Sequence, residues 1–150
     1  MESSSPRYAH WKTYKDAQLG IRIDYPSDEY TAKPIDAFSV EPYESTIDFQ
    51  GKTIVIEGLS IGDRAPEGNG IQLYRTRDAH ILDYLQQYKP FTGKKTVNGI
   101  VFQQFEFVGM GDVYGYVTQH DDRYFVFESM WGPNNPVSEK MLQSLFFEKK

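Results

Sequence analysis

The sequence predicts an α+β domain, arranged as a three-layer α/β/α sandwich around a central, mostly antiparallel sheet. Three observations carry that expectation. From Tyr8 onward the dominant apolar spacing is two, the period that sends alternate side chains to opposite faces of a strand. Only two segments, one mid-chain and one near the C-terminus, switch to helical spacing. Each amphipathic helix needs a sheet face to cover, and two helices on opposite faces of one sheet make three layers.

The elements follow in chain order. Met1 to Arg7 is a polar run that reads as a disordered tail, leaving residues 8–150 as a single domain without linker, repeat or low-complexity block. Trp11 to Tyr14 and Gly20 to Tyr25 form two short strands about a polar turn, and Pro26 is expected to stop the second. Ser27 to Pro42 reads as an irregular connection with at most one short strand, Phe38 to Val40. Thr53 to Ile61 has apolar residues on both phases, as in a central strand covered on both faces. Gly62 to Gly70 is a loop by its glycines and proline.

Asp78 to Tyr88 is the first helix, with Asp78 as N-cap, Ile81, Leu82, Leu85 and Tyr88 as its apolar stripe, and Pro90 beyond its end. Asn98-Gly99 joins two strands by a type I′ turn, because both residues tolerate positive φ. Val101 to Val108 places Phe102 on one phase and Phe105 and Phe107 on the other, which suggests a bulge near Gln103 and Gln104. Val113 to His120 and Arg123 to Trp131 make a long hairpin about Asp121-Asp122. Asn135 then caps a second helix with Pro136 at its first position and Val137, Met141, Leu142 and Leu145 on its inner face.

Composition narrows the function. Sixteen Lys plus Arg against 21 Asp plus Glu give a net charge of −5 with no basic stripe, which argues against nucleic acid as a partner. The absence of Cys excludes disulfides, thiolate zinc sites, iron–sulfur clusters and cysteine nucleophiles. No apolar run approaches the ~18 residues of a membrane span. The start lacks the apolar core of a signal peptide, so the expected location is cytoplasmic if Met1 is the native start. If a leader precedes it, the expected location is extracytoplasmic or in the cell envelope, with a lipid anchor upstream.

Residues 19–28, Leu-Gly-Ile-Arg-Ile-Asp-Tyr-Pro-Ser-Asp, resemble the Gly-hydrophobic-x-hydrophobic-x-Tyr-Pro opening of PsbP-like domains. Further pieces fall in that family's order: the mid-chain helix, the Val97-Asn98-Gly99 turn, the hairpin with Arg123-Tyr124 on its return strand, and the C-terminal helix running into Ser144-Leu145-Phe146. Leu145 departs from the usual Ser-Phe, and Tyr30 stands where a Trp is common. The family includes a photosystem extrinsic subunit, a nuclear-import factor that binds the Ran GTPase, and bacterial lipoproteins. The resemblance implies a non-enzymatic accessory or binding module, without cofactor, whose partner is a protein or small ligand.

Candidate sites remain. Gly58-Leu59-Ser60-Ile61-Gly62 matches the nucleophile elbow of serine hydrolases, with Asp78 or Asp83 and His120 following in a permitted order. The loop composition after Gly62 argues against the helix that an elbow requires, so a small serine hydrolase using Ser60 is the alternative function. Asp63, Glu67 and Asn69 are oxygen ligands without EF-hand spacing, and the three His show no paired metal spacing. Aromatic residues reach 15%, and Tyr114 and Tyr116 share one face of their strand with His120. A partner or ligand is therefore expected to contact at least one of two regions: Tyr114, Tyr116 and His120 beside the Asp121-Asp122-Arg123 turn, or the loop with Asp63, Arg64 and Glu67.

Overall fold

A computed structural model describes residues 10–28, 38–63, 70–87, 91, 93–107, 113–129 and 136–148. The elements are β1 (His10–Asp16), β2 (Ile21–Asp28), β3 (Phe38–Phe49), β4 (Lys52–Asp63), β5 (Gly70–Thr76), α1 (His80–Gln86), β6 (Gly93–Val97), β7 (Ile100–Phe107), β8 (Val113–His120), β9 (Arg123–Ser129), α2 (Pro136–Gln143) and β10 (Phe146–Phe147). They build two sheets, a seven-stranded one ordered β3-β4-β5-β9-β8-β7-β6 and a three-stranded one ordered β1-β2-β10. Every strand pairing is antiparallel.

The α/β/α sandwich expectation is thereby corrected: the protein is mainly β, and one layer contains a second sheet. The reason is dimensional. Seven strands spaced ~4.8 Å apart span about 29 Å, whereas helices of seven and eight residues rise only about 10 to 12 Å. Neither helix can roof such a sheet alone.

Two apolar clusters occupy the two faces of the large sheet. On one face Leu59, Ile61, Leu73, Phe102 and Phe127 pack against Ile21 and Ile23 of the small sheet and Met141, Leu142 and Leu145 at α2. On the other face Ile54, Ile56, Phe105, Val117 and Val126 pack against Ile81 and Leu85 of α1. Strand β4 supplies both faces, Ile54 and Ile56 to one and Leu59 and Ile61 to the other, as a doubly covered strand should. Leu82 is half-buried beside the α1 stripe, and Tyr88 lies outside the described residues.

The double cover also removes the expected bulge. Registers run unbroken through Gln103 and Gln104 on both sides of β7, because Phe102 and Phe105 serve opposite faces and need no phase change. Pro26 does not end β2, which continues to Asp28; Pro26 lies opposite Trp11, where the β1 register shifts. A residue without an N–H is tolerated at such an irregularity. Likewise Pro42 sits within β3, an edge strand whose outer side has no partner in the sheet. Strands β5 and β10, and most of β3, have no counterpart in the sequence-based expectation.

Turn chemistry is conventional. Asn98 and Gly99 have φ of 50° and 82°, the positive pair a type I′ turn requires. Asn98 Nδ2 also donates to the Gln143 and Leu145 carbonyls at 3.0 and 2.8 Å, closing the C-terminal end of α2. Asp78 precedes the first helical residue by two, and its carboxylate accepts the His80 N–H at 2.9 Å. It thus satisfies an amino-terminal donor although Ala79 holds the N-cap position. Lys95 and Glu139 pair at 2.5 Å, and Lys140 Nζ lies 4.3 Å from the Trp11 ring, tying α2 to β6 and β1.

Two stability predictions follow from this packing. Leu85→Ala and Leu142→Ala each remove a fully enclosed side chain and should cost about 2 to 5 kcal/mol in urea unfolding; a loss under about 1 kcal/mol would mean these helix faces do not bury as described. A Cβ at Gly115 would collide with the Phe105 ring, so Gly115→Ala should destabilise by about 1 to 3 kcal/mol through overpacking.

Candidate functional site

The small sheet and α2 do not cover the whole of their face of the large sheet. Where the cover stops, the β1–β2 turn and Glu148 meet the tip of the β8–β9 hairpin and leave a cleft of about 340 Å³. That volume is at the low end for a small-ligand site. Leu19, Gly20, Arg75, His120, Arg123 and Phe125 are among its lining residues. Arg75 and Arg123 also border a second, more open cleft that continues along β4 over Thr53 and Val55. Val55 is 65% exposed because it lies on this face beyond the reach of the small sheet.

Register assembles the polar wall. Glu57 and Arg75 are direct cross-strand partners in β4 and β5. Arg75 Nε donates to Glu57 Oε1 at 2.6 Å, Nη2 pairs with the same oxygen, and Nη1 reaches the Leu19 carbonyl at 3.5 Å. Gln18 Nε2 donates to Glu57 Oε2 at 3.1 Å, so Glu57 and Arg75 connect the large sheet to the turn of the small one. The Arg75 side chain is 11% exposed. Arg123 Nη1 approaches Glu57 Oε1 at 3.4 Å, and its Nε lies 3.9 Å from Asp122 Oδ1. Exposed Arg77 lies 3.7 Å from Asp122 Oδ2.

The tight turn makes the hairpin tip. Asp121 has φ of 57°, and His120 is the strand partner of Arg123. The His120 ring stacks on Phe147 with centroids 4.3 Å apart and planes 13° apart, and meets Phe125 edge-on at 6.2 Å. Its Nε2 is 3.7 Å from Asp121. A third concavity, lined by Ile100, Phe146 and Phe147, borders the other side of His120. The structure thus brings His120, Asp121, Asp122 and Arg123 together with Glu57, Arg75 and Gln18, three residues that sequence reasoning missed. Cross-strand register joins Glu57 and Arg75 to the hairpin and the packing of the small sheet on the large one adds Gln18, and no local spacing announces either.

The other expected site residues fare differently. Tyr116 is only 4% exposed and packs on Phe127, so its ring belongs to the core and cannot present a binding surface. Tyr114 pairs with Ser129 in β8 and β9, but its side chain lies outside the described residues. Asp63 ends β4 and Gly70 begins β5, so both ends of the expected Gly62 to Gly70 loop are strand; Arg64 and Glu67 lie outside the described residues.

Ser60 lies within β4, opposite Glu41 and Gln72, and three more strand residues follow it. A nucleophile elbow would turn there into a helix. Ser60 shares the phase of Ile54 and Ile56, which face α1, whereas His120 packs on Phe125 and Phe147 on the small-sheet face. The two residues are on opposite faces of one sheet, so the triad does not assemble. Asp78 instead meets His80 Nδ1 at 2.7 Å, with Lys52 Nζ 2.9 Å from Nε2. The His80 backbone N–H and then its ring hold the Asp78 carboxyl below its usual value.

A second polar group sits on the α1 face. Tyr74 donates to Glu128 at 2.7 Å, and Tyr43 donates to Gln72 at 3.3 Å. Desolvation raises the Glu128 carboxyl above its ordinary value, partly opposed by the Tyr74 hydrogen bond. Burial, then the Glu128 charge, pushes both phenols up.

The fold and cleft together define a two-sheet, mainly antiparallel β domain with an arginine-carboxylate cleft at the sheet margin. No family model matches the chain, and no solved structure matches it. Among curated proteins it is similar to diphthine synthase of Staphylothermus marinus, 32% identical over 88 residues, which are 59% of this chain and 32% of that protein. The matched stretch therefore spans about a third of the relative's length. Among the described residues no helix is long and apolar enough to cross a membrane.

A raised carboxyl pKa in the fold favours the protonated form, so Glu128 stabilises fully below the unfolded value of about 4.3 and that contribution fades as pH rises through its folded value. Glu128→Gln keeps an acceptor for Tyr74 without the charge. Its stability should gain on wild type as pH rises above about 4.3 and level off once the folded carboxyl has ionised. Parallel urea-midpoint curves from pH 4 to 8 would refute this.

Proposed function

We propose that this chain is a non-enzymatic binding module of PsbP-like type, and that its ligand or partner docks in the cleft at the β8–β9 tip. The observation that carries the reading is the wall of the cleft. Its arginines and carboxylates are engaged with one another around Glu57, and His120 is held by stacking on Phe147. Such a wall is polar and partly desolvated, and it borders the nearly buried edge of the core at Leu19 and Phe125, a setting suited to recognition by polar groups. The PsbP-like reading is supported by the motif pieces that fall within the described residues: the Asn98-Gly99 turn, Arg123-Tyr124 on the return strand, and α2 leading into Ser144-Leu145-Phe146. The segment shared with diphthine synthase is a third of that protein, and the cleft rather than that overlap supports the reading.

Ala17 lines the cleft without taking part in its hydrogen bonds, so Ala17→Trp should obstruct it while leaving the Glu57 network intact. Affinity capture from the native host should lose, with folded Ala17→Trp, the ligand or partner that wild type retains. Retention of every captured species would count against the cleft. Rapid fluorophosphonate labelling of wild type that Ser60→Ala abolishes would overturn the non-enzymatic part.

A further inference from the structure

Strand β10 is an open edge of the small sheet. Ladder alternation fixes which of its backbone groups face outward. The Glu148 N–H donates to the Gly20 carbonyl at 2.8 Å and Phe147 pairs with Ile21 one step along, so Phe146 and Glu148 turn their backbone groups toward β2 and Phe147 turns its N–H and C=O away. The neighbouring outward carbonyl, that of Leu145, is taken by Asn98 Nδ2 at 2.8 Å. The Phe147 pair has no hydrogen-bond partner among the described residues.

That open pair borders the third concavity, a groove of about 410 Å³ between β10, the β6–β7 turn and the β8–β9 tip. Unlike the first cleft, it exposes apolar surface: Phe146 is 42% exposed, and Ile100 and Phe147 are half-buried. Its charged lining is acidic. Asp121 and Glu148 are both exposed, and no Lys or Arg lines the groove among the described residues. Arg22 lies over the Phe146 ring at 4.6 Å without joining that lining.

We propose that this groove receives an extended peptide segment that joins the small sheet beside β10 and carries an apolar residue flanked by Lys or Arg. This docking surface goes beyond the first cleft and does not depend on it. A peptide residue opposite Phe147 exchanges two backbone hydrogen bonds with it and places its side chain on the face of the Phe147 ring, toward Ile100. Its neighbours turn to the other face, shared by Phe146 and Glu148, where a basic side chain meets the Glu148 carboxylate. The shortness of β10 limits the backbone contribution to that one pair, so the apolar floor and the acidic rim supply the selectivity.

The test is titration of the full chain with the capped peptide acetyl-Ala-Lys-Val-Lys-Ala-amide, whose paired Lys serve either strand direction, followed by heteronuclear NMR. The Phe147 amide should gain protection from hydrogen exchange on binding, while the Glu148 amide, already bonded to Gly20, changes little. Methylating the Val nitrogen of the peptide removes one backbone bond at unchanged charge and should weaken binding about fivefold or more. The peptide with Glu in place of Lys should bind at least about threefold more weakly, and Glu148→Gln should weaken the Lys peptide about twofold or more. Ala17→Trp should leave its affinity within about twofold, because Ala17 lines the first cleft and not this groove. No binding at millimolar peptide, equal affinity for the methylated peptide, or an unchanged Phe147 amide would overturn the proposal. Loss of the peptide from Ala17→Trp would place it in the first cleft and overturn it too. So would dimerisation of the free chain that itself protects Phe147, which would give the edge to a second copy. If the peptide binds as described while Ala17→Trp retains every captured species, the groove stands and the first cleft falls.

Discussion

The structure depends on one constraint: the large sheet is apolar on both faces, so both must be covered. Strands such as β4 and β7 alternate large side chains to the two sides, Ile54 against Leu59 and Phe102 against Phe105. An uncovered face of that kind would expose a row of Ile, Leu and Phe to water, at roughly 1.5 to 3 kcal/mol for each side chain left unburied. On the narrower α1 cluster the short helix is supplemented by half-buried Tyr43, Ile47, Phe91 and Tyr124 at the margin. The wider cluster needs the β1–β2 hairpin, α2 and the two residues of β10 acting together. The second sheet is the answer to an area that helices of two turns cannot fill.

The cleft is a by-product of the same geometry. The cover ends at the β1–β2 turn, and the face beyond it changes character, from Ile61 and Leu73 to Glu57 and Arg75. Glu57 sits on that boundary, taking hydrogen bonds from Arg75, Arg123 and Gln18. A carboxylate shared among several donors is stabilised by a preorganised surrounding, while removing it would leave the well-buried Arg75 without its charged partner. The polar rim therefore both closes the inter-sheet core and shapes the opening.

What could be read from the chain was what local chemistry dictates. Asn98-Gly99 was legible because both residues accept positive φ; Gln50-Gly51 makes the same kind of turn, φ 52° and 78°, but Gln carries no such preference and the long β3 strand stayed hidden with it. The apolar stripes of both helices were legible, and so was the hairpin about Asp121-Asp122, whose site residues are consecutive. The layer count was not, since helix periodicity reveals a stripe but not whether its length suffices for the sheet beneath. Two-residue β10 is too short to show any period. Glu57 and Arg75 came to the site through a strand pairing 18 residues apart, and Gln18 through the packing of one sheet on the other, 39 residues from Glu57, neither of which local sequence reveals.

The strand order has a consequence for how the molecule is made. The large sheet is two meanders, β3-β4-β5 and β6-β7-β8-β9, joined side by side through β5 and β9. Until β9 arrives, β5 is an open edge with apolar residues on both faces, a template for pairing with another chain. The small sheet closes later still, because β10 pairs back onto β2 across most of the sequence. Such distant pairings must overcome loop-closure entropy before any contact rewards them, which places this topology among slow folders, on the order of milliseconds to seconds. During synthesis the seam between the meanders thus stays open to the wrong partner until β9 emerges, and the last strand to pair is the one that locks the first hairpin in place.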